Sequence, residues 1–193
     1  YTAGAFLAYR SLEFIRDDIC FQNLNVKVVG MGSGLAWSSL GPSHHTTEDI
    51  AVLRAIPNLR ILSPATPNQV EACVEEAYHH QGPVYIRIGM NNEKEFFETD
   101  YRVSLSGQDV LNDKGEVIIV TTGSILEEVV DATKLLEASG IDATVVNTVR
   151  IKPFAKEYLI QRAAQAKLLV TVEEHNVMGG LGSILAEVLT EHG

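Results

Sequence analysis

Several classes of protein are disfavoured by what this sequence of 193 residues has little of. Its two cysteines, Cys20 and Cys73, lie far apart and lack the spacing of metal ligands, so we expect reduced thiols rather than a disulfide scaffold or a zinc site. Lys and Arg total 15 against 25 Asp and Glu, and the net charge of −10 disfavours binding to nucleic acid phosphates. No apolar run reaches the ~18 residues of a membrane-spanning helix, and the first residues lack the basic start of a signal peptide. We therefore expect a soluble, cytoplasmic protein with no nucleic acid or membrane partner.

Six short apolar runs, rich in Val and Ile and without polar alternation, predict strands that are buried on both faces. Thr66 and Ser124 each precede a helix-like stretch and match the capping-box pattern, and Gly140 stands where the second stretch should end. This alternation predicts an α/β fold with doubly wound, mainly parallel sheets. The six runs are residues 26–31, 59–63, 84–88, 117–121, 143–147 and 168–172.

The alternation is interrupted once, between residues 91 and 116, where charges and turn residues replace any helical pattern. We interpret this segment as a linker, and the alternation of Tyr101, Val103 and Leu105 with polar residues predicts an edge strand within it. The linker separates residues 1–90 from residues 117–193. Each part has three predicted strands, which is few for a doubly wound domain, so we expect both domains to be incomplete.

The segment with most glycine and polar residues is 30–45, and it follows a predicted strand. Ligands of α/β sheets bind at the carboxyl ends of strands. His44 and His45 lie in this segment, and an imidazole that titrates near neutral pH suits an active-site rim. Other metal ligands with suitable spacing are not nearby, so metal binding by this pair is disfavoured. Phe6 and Tyr9 share one helical face, a pattern more typical of a buried core.

Two acidic segments have structural interpretations. Glu48 and Asp49 fall in a first helical turn, where they offset the helix dipole and need no further role. Glu173 and Glu174 precede a glycine-rich segment, 179–183, that is similar to a phosphate-binding loop. Because two carboxylates would oppose an anion, we favour a packing loop there.

Several segments together resemble the transketolase family of thiamine-diphosphate enzymes. Residues 41–45 (GPSHH), 53–54 (LR) and 56–58 (IPN) are similar to the substrate loop, helix end and turn of the family's pyrimidine-binding domain. Residues 152–154 (KPF) and 172–183 are similar to parts of its C-terminal domain. The resemblance covers nearly the whole chain. It implies a pyrimidine-binding domain within residues 1–90 and a C-terminal domain within residues 117–193.

The resemblance also implies site residues and a partner. Phe6 would stack on the aminopyrimidine ring, Tyr9 would be a second aromatic near it, and His44 would contact substrate oxygens as the catalytic residue. In the family, another domain holds the diphosphate and Mg²⁺ through a G-D-G motif that this sequence lacks, and the glutamate that protonates the cofactor would lie before Tyr1. The chain is therefore expected to act as a homodimer or hetero-oligomer with a diphosphate-binding domain or subunit.

Three positions depart from the family pattern. Leu40 stands where an aspartate is usual, and the substrate-binding positions of a histidine and an arginine hold Gly32 and Met90. Arg87 lies within a predicted strand, where alternation places its side chain on one of two faces, and Arg54 is interpreted as a surface or interface charge. These departures imply a substrate that is unphosphorylated or whose phosphate is held by the partner.

The resemblance implies a transferase that moves a two-carbon ketol unit between sugars or related substrates, as in pentose phosphate metabolism. Two alternatives stay open. One is a decarboxylating relative, similar to a deoxyxylulose-phosphate synthase or, less well matched by the loop and the I-P-N turn, to the β subunit of a 2-oxo acid dehydrogenase. The other is a non-catalytic assembly subunit that keeps the fold without the chemistry.

Overall fold

A computed structural model describes residues 1–90 and 93–192 of the chain, in which nine strands form two mainly parallel sheets alongside five α-helices. The predicted α/β class with doubly wound, mainly parallel sheets is confirmed. The strands are β1 Thr2–Ala3, β2 Lys27–Met31, β3 Arg60–Leu62, β4 Val84–Ile88, β5 Gln108–Asn112, β6 Val117–Thr121, β7 Ala143–Thr148, β8 Arg150–Lys152 and β9 Leu168–Val172. The helices are α1 Asp49–Arg54, α2 Pro67–His79, α3 Leu126–Ala138, α4 Glu157–Ala163 and α5 Leu181–His192. None of these helices is long and apolar enough to cross a membrane.

The first sheet has the strand order β1-β2-β4-β3-β8. Its first four strands run parallel, and β8 pairs antiparallel with β3. The strand β8 comes from the C-terminal half of the sequence, so both halves of the chain build this sheet. The three strands expected from residues 1–90 are therefore too few for this sheet, because β1 and β8 have only two and three residues and give no apolar run.

The second sheet has the order β5-β7-β6-β9, with only β5 antiparallel. The edge strand predicted within residues 91–116 is present as β5, which begins three residues after the alternating Tyr101, Val103 and Leu105. Leu105 is fully exposed, and the Tyr101 hydroxyl donates to Asp109 (2.9 Å to Oδ2), so this alternation reflects loop packing. The side chain of Gln108, at the start of β5, donates to the carbonyl of Ala155. Because polar residues with such contacts occupy β5, the strand has no run of apolar residues that would predict it.

Of the three predicted capping residues, two are confirmed and one is wrong. The Thr66 hydroxyl accepts a hydrogen bond from the Gln69 amide at the start of α2, as predicted. Ser124 does not cap α3, because it lies in a short 3₁₀ turn, Gly123–Ile125, before the helix and its hydroxyl donates to Glu174 instead. Gly140 (φ +78°) ends α3 as predicted.

One apolar core joins the two halves of the chain. Its fully buried side chains come from α1, from strands of both sheets and from α5, and each Leu or Ile buried there contributes about 1.5–3 kcal/mol. The two sheets are therefore packed firmly against each other. Representative members are Ile50, Leu53, Ile61, Ile118, Val120, Ile151, Leu181 and Leu185.

Candidate active site

The glycine-rich segment turns at the carboxyl edge of the first sheet, directly after β2. Gly32 has φ +74°, and a Cβ at this position would lie 2.5 Å from the ring of Trp37. Glycine is therefore required for the indole to pack over the backbone. The Thr46 hydroxyl donates to the Gly32 carbonyl at 3.0 Å, and one antiparallel bridge pairs Gly34 with Thr46. The two arms of the loop that carries His44 are thus fixed to each other.

The structure brings Phe6 and His44 together. Their ring centroids are 5.0 Å apart with a 55° interplanar angle, and the Trp37 ring is 6.2 Å from the imidazole on an edge. The Arg10 guanidinium lies 4.3 Å from the Phe6 ring centroid, within range of a cation–π contact. Both Phe6 and His44 are partly exposed, so a ligand can reach them.

The imidazole of His44 is held at one nitrogen. Its Nδ1 lies 3.0 Å from the Ser43 hydroxyl, and Nε2 has no hydrogen bond to any residue within the described ranges, 1–90 and 93–192. His45 instead faces away, with Nε2 3.3 Å from the Ser38 carbonyl. The nitrogen Nε2 of His44 is therefore available to a ligand. Within the same ranges, no group of three or more His, Cys, Asp or Glu side chains is arranged to hold a metal ion.

Tyr9 lies one helical turn from Phe6 and contacts the start of α1. Its hydroxyl donates to Glu48 Oε2 (2.9 Å) and accepts from the Glu48 amide (3.0 Å). Burial is the main reason why the pKa of Tyr9 is raised. Burial alone would raise the pKa of Glu48, but hydrogen bonds from Tyr9 and Thr47 lower it. Tyr9 thus faces Glu48, whereas Phe6 faces His44.

The remaining predicted substrate positions, Gly32 and Met90, lie at the same edge of the sheet. Their strands are neighbours, since Met31 pairs with Ile88, and the Ser33 amide donates to the Ile88 carbonyl at 3.0 Å. The Met90 side chain is 46% exposed. Neither Gly32 nor Met90 has a side chain that donates hydrogen bonds, so neither can bind an anion through its side chain.

Arg87 is buried and committed to an ion pair. Its Nε donates to Asp49 Oδ2 at 2.9 Å, and the Tyr85 hydroxyl donates to the same oxygen at 2.9 Å. Burial opposes the charge on Arg87, but the adjacent Asp49 carboxylate outweighs this and raises the pKa of the guanidinium. The interpretation that Asp49 needs no role beyond the helix dipole is therefore wrong, because Asp49 is the counter-ion of a buried arginine.

The first glutamate after β9 binds the start of the next helix, α5. Glu173 accepts hydrogen bonds from the amides of Leu181 (2.6 Å) and Gly182 (2.8 Å) at the start of α5. The carboxylate occupies the place that a phosphate would take at this helix, so the packing interpretation is confirmed.

Arg54 connects the two halves. Its Nε donates to the Gly179 carbonyl at 2.8 Å, and its guanidinium forms a two-point ion pair with Glu187 on α5. The predicted interface charge therefore lies at an interface within the chain.

Sequence reasoning missed Trp37 and Glu174 as neighbours of the site. The sequence around Trp37 does not predict its place in the site, because the turn of the loop brings the indole to Gly32 and His44. Glu174 is 130 residues from His44 in sequence, and only the packing of the two sheets places it at the loop.

Two family models match the chain. The transketolase pyrimidine-binding domain matches residues 1–94, and the transketolase C-terminal domain matches residues 108–193. The chain belongs to the transketolase family.

Curated relatives match nearly all of this chain. An apulose-4-phosphate transketolase subunit of Actinobacillus succinogenes is 39% identical over 191 residues, which cover 99% of this chain and 61% of the relative. The protein of the same description from Phocaeicola vulgatus is 34% identical, with 98% and 61% covered. The 1-deoxy-D-xylulose-5-phosphate synthase 2 of Geobacter sulfurreducens is 30% identical, with 95% and 30% covered. This chain thus spans about three fifths of the length of the transketolase subunits that it matches.

A solved structure has the same fold. It is described as a split gene transketolase, inactive beta4 tetramer, and it matches with a TM-score of 0.90 and 40% identity over 99% of this chain and 62% of its own. The predicted resemblance to the family is therefore confirmed in sequence and in fold.

Proposed function

We propose that this chain is part of a transketolase-like enzyme that transfers a two-carbon ketol unit between sugars or related substrates. The observation that carries the proposal is the contact between Phe6 and His44, 5.0 Å apart at the carboxyl edge of a parallel sheet. The match to proteins described as subunits of an apulose-4-phosphate transketolase supports it. Because those relatives are described as subunits, they also support a hetero-oligomer with a second, different chain.

The residues at this edge fit the aminopyrimidine end of thiamine diphosphate. The partly exposed ring of Phe6 offers an aromatic face, and aromatic stacking contributes about 0.5–1.5 kcal/mol beyond area burial. Tyr9 supports the segment that carries Phe6 through its bonds to Glu48. We assign the diphosphate and Mg²⁺ to another domain or subunit, because this sequence has no G-D-G motif. When bound, the cofactor supplies the chemistry that breaks and forms the carbon–carbon bond.

In this proposal His44 is the catalytic residue that contacts substrate oxygens. Ser43 contacts Nδ1, and the rings of Phe6 and Trp37 restrict the imidazole, so a ligand would use Nε2. A histidine can donate or accept a proton near neutral pH, which suits the proton movements at a hydroxyl or carbonyl oxygen.

A further part of the proposal concerns where a phosphate group of the substrate would bind. Gly32 and Met90 lack donor groups, and Arg87 is held by Asp49, so these side chains do not provide a phosphate site. The relatives are described as acting on apulose 4-phosphate. We therefore infer that a phosphate on the substrate is held by the partner subunit, and an unphosphorylated substrate is the alternative.

A decarboxylating activity is the second candidate, favoured by the match to a deoxyxylulose-phosphate synthase. The test uses the full-length protein assembled with its diphosphate-binding partner, thiamine diphosphate and Mg²⁺. Ketol transfer from xylulose 5-phosphate or an unphosphorylated ketose to an aldose acceptor supports the first proposal. Release of CO₂ from pyruvate in the presence of glyceraldehyde 3-phosphate, without ketol transfer, would instead establish the second.

A further inference from the structure

Glu174, which follows β9, contacts the loop that carries His44 from the C-terminal half of the chain, and Asn176 contacts the residue after this loop through its amide, which donates to the Thr47 carbonyl at 2.9 Å. The backbone carbonyl of Glu174 accepts a hydrogen bond from Arg87 Nη2 at 3.0 Å. The same nitrogen donates to the Thr46 carbonyl at 3.1 Å. One buried guanidinium nitrogen therefore joins the C-terminal half to the loop, two residues after His44.

The side chain of Glu174 contacts the other arm of the loop. Its Cβ packs against Gly34, where a Cβ would lie only 2.3 Å away, and Oε1 accepts a long hydrogen bond (3.4 Å) from the Leu35 amide. On the far side, Oε2 accepts from the Ser124 hydroxyl at 2.9 Å. The carboxylate is thus fixed between the second sheet and the loop.

Two short series of contacts connect Glu174 to the imidazole of His44. Gly34 is bridged to Thr46, whose amide donates to the Gly34 carbonyl at 2.9 Å. Leu35 is two residues before Trp37, whose ring lies beside both Gly32 and His44. A shift of Glu174 would therefore move both arms of the loop at once.

We propose that Glu174 is a positioning residue that holds the His44 loop in its active arrangement from the C-terminal domain. This inference rests on the proposed function for its effect on turnover, but not for its effect on the loop. Glu174 acts through Gly34, Leu35 and Thr46. A misplacement of about 1 Å at a reacting group costs roughly 100-fold in rate, so loss of the contact should lower kcat by about 10–100-fold.

The experiment compares Glu174→Ala and Glu174→Gln with the exposed control Glu71→Ala in the full-length assembly. The fluorescence is recorded on this chain of 193 residues without its partner, where Trp37 is the only tryptophan and therefore reports the loop in the absence of substrate. For Glu174→Ala we expect a shifted emission maximum, acrylamide quenching raised about 2-fold, and a lowered kcat. Glu174→Gln should recover most of both signals, because an amide oxygen can still accept from Ser124 or Leu35.

Ser124→Ala is the milder variant if Glu174→Ala does not fold, and it should change the Trp37 signal in the same direction by a smaller amount. Unchanged Trp37 fluorescence in Glu174→Ala, or a Glu174→Gln variant as impaired as Glu174→Ala, would overturn the proposal. Absence of ketol transfer in the unmodified assembly would count against the proposed function instead, while the fluorescence would still decide whether Glu174 positions the loop.

Discussion

At the scale of single residues, the sequence identified some members of the site and its surroundings but not others. His44 and Phe6 could be proposed from the sequence because a short motif and a family resemblance mark them. The roles of Arg87 and Asp49 could not, since strand alternation gives the direction of Arg87 only as one of two faces. Burial resolved this, because a guanidinium that is 2% exposed needs a counter-ion and the nearest carboxylate is Asp49.

Exchange of His44 tests the catalytic assignment. In the complete assembly, His44→Ala should lower kcat/KM by roughly 10²–10⁴-fold, the range for loss of a proton-transferring side chain. His45→Ala is the matched control, because its ring faces the Ser38 carbonyl rather than Phe6. Steady-state kinetics of both variants decide the matter, and equal losses would show that the loop register is wrong.

The buried Asp49–Arg87 pair can be tested by unfolding. Asp49→Ala leaves a buried guanidinium without its counter-ion, so we expect a loss of about 3–5 kcal/mol in the free energy of unfolding. Urea titration measures this, with Asp131→Ala on the surface of α3 as a control that should have little effect. The double variant Asp49→Leu/Arg87→Met should recover much of the loss. A double variant as unstable as Asp49→Ala would mean that the uncompensated charge is not the cause.

At the scale of elements, apolar runs in the sequence located six of the nine strands in the described residues and missed β1, β5 and β8. The strands β2, β3, β4, β6, β7 and β9 coincide with the six predicted runs, because parallel strands inside a sheet need continuous apolar residues. The expected burial on both faces does not hold for β9, which is an edge strand with no fully buried residue. The strands β5 and β8 were missed, since their side chains make polar contacts at the junction of the two sheets. Ser124 was misassigned as a helix cap for a similar reason: its hydroxyl has a distant partner in Glu174.

The contact between the short helical segment Phe6–Arg10 and the start of α1 should depend on pH. Hydrogen bonds to Glu48 hold its pKa below the ordinary value, so they stabilise the fold above about pH 4.3 and are lost as pH falls through the lower folded pKa. Tyr9→Phe removes one of these bonds and also the bond from the Glu48 amide, and it should cost about 1–2 kcal/mol at pH 7. Urea unfolding at pH 7 and pH 3.5 should show a narrower gap between Tyr9→Phe and the unmodified chain at the lower pH. A gap that stays constant would show that Glu48 is not the partner responsible.

At the scale of the whole molecule, the two halves form one packed body with a shared core. The resemblance placed both domains in the right order, and family models end and begin at residues 94 and 108. The boundaries proposed at residues 90 and 117 stay predictions. Sequence alone could not show that β8 joins the first sheet or that Arg54 ties α1 to α5, because pairings across about 90 to 130 residues leave no local pattern.

The proposed division of the cofactor site between this chain and a partner predicts weak binding by the chain alone. Stacking on Phe6 contributes about 0.5–1.5 kcal/mol beyond area burial, whereas micromolar affinity needs about 8 kcal/mol in total. The net charge of −10 adds repulsion toward a diphosphate. Calorimetry of these 193 residues with Mg²⁺ and thiamine diphosphate should therefore detect no micromolar binding, and the assembly with its diphosphate-binding partner should bind tightly.

Phe6→Ala in the assembly should weaken that binding by about 2–12-fold, the equivalent of the stacking contribution, while the exposed Phe21→Ala control should not. Micromolar binding by the chain alone would place the diphosphate site within these residues and contradict the division.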